Sequence, residues 1–135
     1  MRASASARAS ARARPEAGSA LVDFVLVSAL VVALFLGVVQ VALVLHVRAV
    51  LVDAAGEGAR VAARADRTPA DGVDRTRALV RDAVSARFAQ DVSAGTATLD
   101  GLEVVEVTVR APLPVVGLLG PSGTLTVTGH AVAEP

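Results

Sequence analysis

The strongest candidate for a functional residue in this chain is an acid, Asp23, which lies directly before a long apolar run. The run Phe24–Leu45 contains no charged residue over about 22 positions. An ionisable side chain at the edge of a membrane segment is costly and is by default a functional candidate that needs a cation or water. The cost is smaller near a helix end, where Asp23 could instead reach the lipid headgroups and favour the helix N-terminus. Both interpretations stay open from this residue alone.

The other ionisable residues form no catalytic pattern. The two histidines, His46 and His130, have no neighbours at metal-ligand spacing, and Glu103 and Glu106 face opposite sides of a predicted strand. The chain has no cysteine, which excludes disulfides, thiol catalysis and cysteine-ligated metals. No nucleophile motif or phosphate-binding glycine loop occurs in it. The sequence therefore predicts no enzyme, no cofactor, no metal site and no small-molecule substrate.

Composition narrows the class of protein further. The chain has 135 residues, 53% of them hydrophobic, and a formal net charge of zero. This length allows one membrane segment and one small domain at most. Charges of both signs are interspersed after residue 48, so there is no basic stripe of the kind that neutralises phosphates. We expect no nucleic-acid partner.

The apolar run Phe24–Leu45 fits a membrane anchor better than a buried core helix or a removable secretory signal. As a helix rising about 1.5 Å per residue it spans about 33 Å, close to the roughly 30 Å core of a bilayer. A secretory signal has a shorter apolar region and ends at a small-residue cleavage site. Before the run, residues 1–17 carry four arginines in a segment that we expect to be disordered. These arginines predict a single-pass protein of the cytoplasmic membrane with its N-terminus inside and its C-terminal domain outside.

The helix is predicted to continue beyond the membrane as a stalk, so that residues 19–67 form the transmembrane helix and the stalk. Gly56 and Gly58 interrupt this segment, and each glycine costs about 1 kcal/mol relative to alanine inside a helix. The pair indicates either a hinge or the close approach of another helix. Simple tolerance of both glycines in a marginal stalk is the alternative.

Residues 68–135 predict a small extracytoplasmic α+β domain. Thr68 and Pro69 start a predicted amphipathic helix over residues 69–89, whose apolar stripe packs on a sheet or lies on the membrane. Two β-type runs flank the dipeptide Asp100–Gly101, which is a hairpin signal, and a third run covers residues 124–132. We expect a three-stranded antiparallel sheet with the helix on its valine face. The fold class is thus a membrane-anchored α+β protein.

An apolar loop rich in proline and glycine separates the last two predicted strands. Its large apolar residues are Val115, Val116, Leu118 and Leu119. A loop of this composition usually packs against another apolar surface. It either covers the edge of the small sheet or forms a docking patch for a partner or for the outer membrane face.

Several of these features occur together in one known family. An arginine-bearing leader, Gly18, the residues Ser19–Val22, then Asp23 and Phe24, followed by an apolar helix, resemble a type IV prepilin processing signal. Together with DAAGEGARVAARA after the apolar run and APLPVVGLLGPSGTLTVTGHAV near the C-terminus, the chain resembles TadE-like proteins. These are minor pseudopilins of the tight-adherence (Flp) pilus system, here of the actinobacterial type. The resemblance covers roughly residues 16–133.

The resemblance implies a processing site and an assembly contact. A membrane-embedded prepilin peptidase would cut between Gly18 and Ser19, so that residues 1–18 are a cleaved leader and Asp23 is the fifth residue of the mature chain. Glycine would let the peptidase approach an extended backbone, with the helix beginning only after the scissile bond. Family pilins have glutamate at the fifth position, thought to neutralise the new amino group of a neighbouring subunit. Asp23, followed by Phe24, keeps the charge on a shorter side chain.

The implied function is that of a minor pilin-like subunit in the assembly of a Flp-type pilus or a related secretion filament. Its partners would be the lipid bilayer, the prepilin peptidase, other pilin or pseudopilin subunits and the pilus assembly platform. The residues alone also allow a different class of protein. In that alternative, the chain is a permanently anchored extracytoplasmic scaffold or binding protein, and its leader is only a topology signal.

Overall fold

A computed structural model of the protein describes residues 15–115 and 123–135. The predicted α+β class is confirmed, because a long helix and a second helix precede a three-stranded antiparallel sheet. By clustering of contacts the chain divides into two compact units, Met1–Gly37 and Val38–Pro135. The elements in chain order are α1 (Pro15–Ala62), α2 (Pro69–Ala83), a short 3₁₀ helix (Ala86–Ala89), β1 (Asp91–Leu99), β2 (Leu102–Pro112) and β3 (Thr124–Val132).

The described part of the first unit is helical, and apart from Glu16 and Asp23 near its start it carries no charged side chain. Large side chains there are exposed around the whole helix, among them Leu21, Phe24, Leu30, Leu34 and Phe35. Exposure of this much apolar surface is unfavourable in water and suits a lipid environment. In the described ranges, α1 is the one helix long and apolar enough to cross a membrane.

The second unit contains the hydrophobic core, and α1 contributes one face to it. Val47, Leu51 and Ala55 are fully or almost fully buried in one cluster with Val80 and Val107. The buried residues of α1 recur every three or four positions, which is the repeat of one helix face. We predicted that residues 47–62 form a stalk outside a domain of residues 68–135. In the structure, these residues instead contribute one helix face to the core of that domain.

The second helix begins as predicted and ends earlier. The Thr68 hydroxyl accepts from the Asp71 backbone N–H at 3.4 Å, and the Asp71 carboxylate accepts from the Thr68 N–H at 2.7 Å, which completes a capping box. The predicted extent of residues 69–89 is wrong, because α2 ends at Ala83. Ser85 is extended (φ −173°, ψ 164°), and the 3₁₀ helix after it has Phe88 buried. A turn at this point therefore lets Phe88 join the core before β1 begins.

The sheet has the predicted hairpin and the predicted valine face. Asp100 (φ 51°) and Gly101 (φ 81°) both have positive φ, as a two-residue hairpin with a right-handed twist requires, and Leu99 pairs with Leu102. In β2, Val105, Val107 and Val109 are buried, and the alternate residues Glu106, Thr108 and Arg110 are not. The strand order is β1-β2-β3 with both pairings antiparallel.

One close contact fixes β3 against α1. A Cβ atom added to Gly129 would lie 2.4 Å from the backbone carbon of Ala55 and 2.4 Å from the backbone nitrogen of Gly56. Real Cβ atoms do not approach backbone so closely, and neither backbone segment can rotate away as a side chain can. Glycine at position 129 is therefore required by the packing of strand on helix.

Candidate functional site

The predicted processing site lies inside α1. We expected the helix to begin only after the bond between Gly18 and Ser19, and this is wrong, because α1 begins at Pro15. Proline is well suited to the first position of a helix, and Glu16 in the first turn complements the helix dipole. A Cβ atom added to Gly18 would meet nothing within 4 Å. Contacts among the described residues therefore give no packing reason for a glycine at position 18.

The carboxylate of Asp23 lies on the exposed surface of the same helix. Its neighbours Leu21, Val22 and Phe24 are also exposed. Within residues 15–115 and 123–135, no basic side chain forms an ion pair with Asp23. The side chain thus lies next to apolar surface on a helix that can cross a membrane, and it can accept a cation from another chain.

Gly58 lies at a close contact between α1 and α2. A Cβ atom added there would lie 1.9 Å from Oγ1 of Thr76 and 2.7 Å from the carbonyl oxygen of Gly72, and a Cβ on Gly72 would lie 2.6 Å from the carbonyl oxygen of Gly58. The Thr76 hydroxyl is fully buried and donates to the Gly72 carbonyl oxygen at 2.8 Å. The two glycines therefore allow direct backbone contact between the helices.

Gly56 differs from Gly58. A Cβ atom added to Gly56 would meet nothing within 4 Å, and α1 continues through both positions without interruption. A functional hinge at Gly56 and Gly58 stays a prediction. Of these two glycines, only Gly58 is required by the packing of α1 against α2.

The described start of the apolar loop contacts α1. The side-chain amide of Gln40 donates a hydrogen bond to the carbonyl oxygen of Pro114, and the Leu113 N–H donates to the Gly123 carbonyl oxygen at 3.1 Å. Val115 is partly exposed. The other predicted docking residues, Val116, Leu118 and Leu119, lie outside the described residues.

The histidines and the capping acid lie on the surface of the second unit. His46 is exposed on α1. Nε2 of His130 lies 2.9 Å from Oε2 of Glu106, its cross-strand neighbour on the outer face of the sheet. Asp71 is partly exposed, and the hydrogen bond from the Thr68 backbone, assisted by the Thr68 hydroxyl, lowers the pKa of its carboxyl.

Sequence reasoning missed four residues that organise these contacts: Gln40, Gly72, Thr76 and Gly129. A signal existed for the helix crossing, since Ala54, Gly58 and Ala62 recur at helical spacing in a segment poor in large side chains. Gly72 and Thr76, four residues apart, repeat that spacing in α2. No local pattern marks Gln40 or Gly129, because their partners lie more than seventy residues away in the chain.

Comparison with known proteins gives a family match. The family model of TadE-like proteins matches residues 18–60, which is about a third of the chain. The matched segment begins at Gly18, contains Asp23 and the whole apolar run, and ends two residues after Gly58. No curated protein and no solved structure matches the chain.

Proposed function

We propose that this chain, which is TadE-like over residues 18–60, is a pilin-like subunit that acts in the assembly of a tight-adherence (Flp) pilus or a related secretion filament. The observation that supports the proposal most is the start of the family match at Gly18, five residues before Asp23. The family is a pilus-associated structural one, and the candidate membrane span in α1 agrees with a membrane-anchored member of it.

The first step of the proposed function is cleavage between Gly18 and Ser19 by a prepilin peptidase. The bond lies near the N-terminal end of α1, and the ends of a helix open more easily than its interior. Glycine weakens this turn further by about 1 kcal/mol relative to alanine. The peptidase would therefore need to unwind about one turn to reach an extended backbone.

The second step is an ion pair between subunits. Cleavage would create a positively charged amino group on Ser19 of one subunit, and the exposed carboxylate of Asp23 on a neighbouring subunit would accept it. A pair of opposite charges about 4 Å apart contributes about 4 kcal/mol at an effective dielectric constant of about 20. Phe24 would pack beside the pair and exclude water from it. In this arrangement the platform and other pilin subunits are the partners, with the leader on the cytoplasmic side and the second unit outside.

Mass spectrometry of the membrane-extracted chain tests the cleavage. In cells with an active prepilin peptidase, we expect a mature chain that begins at Ser19, and in cells without the peptidase a chain that keeps residues 1–18. Gly18→Ala should block cleavage, and Gly37→Ala is the matched control, because neither glycine has an atom within 4 Å of its added Cβ. A chain that keeps its leader in the presence of the peptidase would refute the proposal.

Crosslinking between subunits tests the ion pair. Asp23→Asn removes the charge at nearly constant shape, and breaking a buried pair costs about 3–5 kcal/mol, which reduces association by a hundredfold or more. Asp23→Glu keeps the charge and should retain most of the association. Equal association of the wild type and the asparagine variant would remove the contact from the mechanism.

One observation favours a second function, that of a permanently anchored extracytoplasmic scaffold. The helix runs through Gly18 and Ser19, so the bond is not presented to a peptidase as extended chain. In that case Gly18→Ala would change neither the mass of the protein nor any phenotype. The cleavage experiment thus separates the two functions directly.

A further inference from the structure

The start of the loop between β2 and β3 lies beside the part of α1 that belongs to the apolar run. Gln40 is the residue whose side chain binds the Pro114 carbonyl oxygen. Five residues of the charge-free run follow Gln40 before the run ends at Leu45. At about 1.5 Å per residue, this contact lies about 8 Å inside the end of the run. The loop therefore reaches the level of the membrane segment.

The burial of side chains on this part of α1 is asymmetric. Val38, Val41 and Leu45 are 61%, 60% and 61% exposed. Gln40 is half-buried, and Leu43, also half-buried, packs against the hydrophobic core of the second unit. One side of the helix is thus covered by the domain while the other side presents apolar side chains, and the covering begins within the run itself.

The backbone of the loop start is suited to a place with little water. Pro112 and Pro114 have no N–H group, and the Leu113 N–H is paired with the Gly123 carbonyl oxygen. The Pro114 carbonyl oxygen accepts from Gln40. Irregular backbone is tolerated near hydrocarbon when its polar groups are satisfied in this way. The exposed side chain in this stretch is that of Val115, which is apolar and 41% exposed.

We propose that the loop start Leu113–Val115 is an edge of the second unit that contacts lipid through the side chain of Val115, and that Gln40 holds this edge in the interfacial layer of the bilayer. The partner is the phospholipid of the leaflet at the C-terminal end of the membrane segment. The evidence for this occupant is continuity, because Pro114 is hydrogen-bonded to α1 inside the charge-free run and the adjacent Val115 is apolar and exposed. Apolar groups of this kind enter the boundary between headgroups and acyl chains. The second unit then rests directly on the membrane surface.

The sheet supplies an internal control for this geometry. Strand β2 runs from Leu102 to Pro112, so the hairpin at its other end is about 33 Å from the loop. Thr98 is exposed and pairs with Glu103 near that hairpin. A probe at Thr98 should therefore lie in water if a probe at Val115 lies in lipid.

Fluorescence quenching in vesicles tests the proposal on the full chain. The sequence has no cysteine, so Val115→Cys and Thr98→Cys each give one labelling site for an environment-sensitive dye. In vesicles of phosphatidylcholine and phosphatidylglycerol, lipids carrying a nitroxide near the headgroup should quench the dye at position 115 several-fold more than the dye at position 98. Aqueous iodide should show the opposite order. Equal lipid quenching at the two positions would overturn the proposal.

A second variant tests the role of Gln40. Gln40→Leu keeps the run apolar and removes the donor to the Pro114 carbonyl oxygen, so lipid quenching at position 115 should fall while quenching at position 98 stays constant. Unchanged quenching at position 115 would overturn the assignment of Gln40 as the holding residue. Protection from both quenchers that grows with the protein-to-lipid ratio would indicate contact with another copy and overturn lipid as the occupant. The outcome is independent of cleavage at Gly18, since Gln40 and Val115 belong to both the precursor and the mature chain.

Discussion

Helix α1 has one part with large exposed apolar side chains and another part whose buried face consists mostly of small residues. In the described residues up to Gly37 its exposed surface consists of large side chains such as Leu30 and Phe35. In residues 47–62 its buried face consists mostly of alanine and glycine, with Leu51 as the largest member. Large apolar side chains suit contact with fluid lipid, whereas small ones let neighbouring backbones approach closely. The comparison shows that the buried face of the packed part differs from the exposed apolar surface of the other part in side-chain size.

The same substitution in the two parts should have very different effects. Leu51 is 0% exposed and Leu30 is 69% exposed. We expect Leu51→Ala to reduce the free energy of unfolding of the second unit by about 2–5 kcal/mol, because it leaves a cavity in the core. Leu30→Ala, the matched control, should leave it nearly unchanged. Urea titration of the detergent-solubilised chain, followed by circular dichroism, measures both, and similar losses would contradict the division of α1.

The close approach of β3 to α1 gives the next largest effect. Gly129→Ala should destabilise the second unit by about 1–3 kcal/mol, because the new Cβ overlaps the backbone at Ala55 and Gly56. Gly95→Ala in β1 is the control, since nothing lies within 4 Å of its Cβ. The shift of the urea midpoint between the two variants is the measurement. A neutral Gly129→Ala would mean that the strand and the helix are less tightly packed than described.

Smaller effects of opposite sign are expected at Gly56 and Gly58 of α1. Gly58→Ala should destabilise the fold, although Thr76 can move part of the way from the new Cβ. Gly56→Ala should stabilise it by up to about 1 kcal/mol through helix propensity, since the added methyl group meets nothing. Opposite shifts in thermal unfolding are therefore expected two residues apart. Shifts of the same sign would show that backbone contact at Gly58 is not what distinguishes the two positions.

The capping box of α2 should give the smallest effect, and one that depends on pH. Because the pKa of Asp71 is lowered in the folded protein, its stabilisation is present above the pKa of the unfolded chain and is lost as the pH falls below about 4 and through the folded pKa. Asp71→Asn should flatten this part of the stability profile. Thermal unfolding between neutral pH and pH about 3 measures the difference. If the wild type and the Asp71→Asn variant lose thermal stability equally as the pH falls, Asp71 is not the cause of that loss.

Much of the fold follows from local sequence because each signal involves neighbouring residues. The hairpin needs only Asp100 and Gly101 between two β-type runs, and the start of α2 needs only Thr68, Pro69 and Asp71. Asp23 stands out in the same way, as an acid next to the apolar run, whereas the role of Gly18 comes from the family resemblance, and the roles of both residues stay predictions. The end of α2 was not predicted, because Phe88 is drawn into a core that its own segment does not specify.

The sequence by itself determined the candidate membrane segment, the three strands, the hairpin and the helix cap, since these depend on hydropathy, on alternation and on short-range hydrogen bonds. Only the tertiary structure decided that residues 47–62 belong to the core, that Gly58 and Gly129 are contact points, and that Gln40 holds Pro114. The physical reason is distance along the chain. A contact between residues twenty or seventy positions apart depends on how whole elements pack, and no local pattern encodes which small residue will meet which backbone.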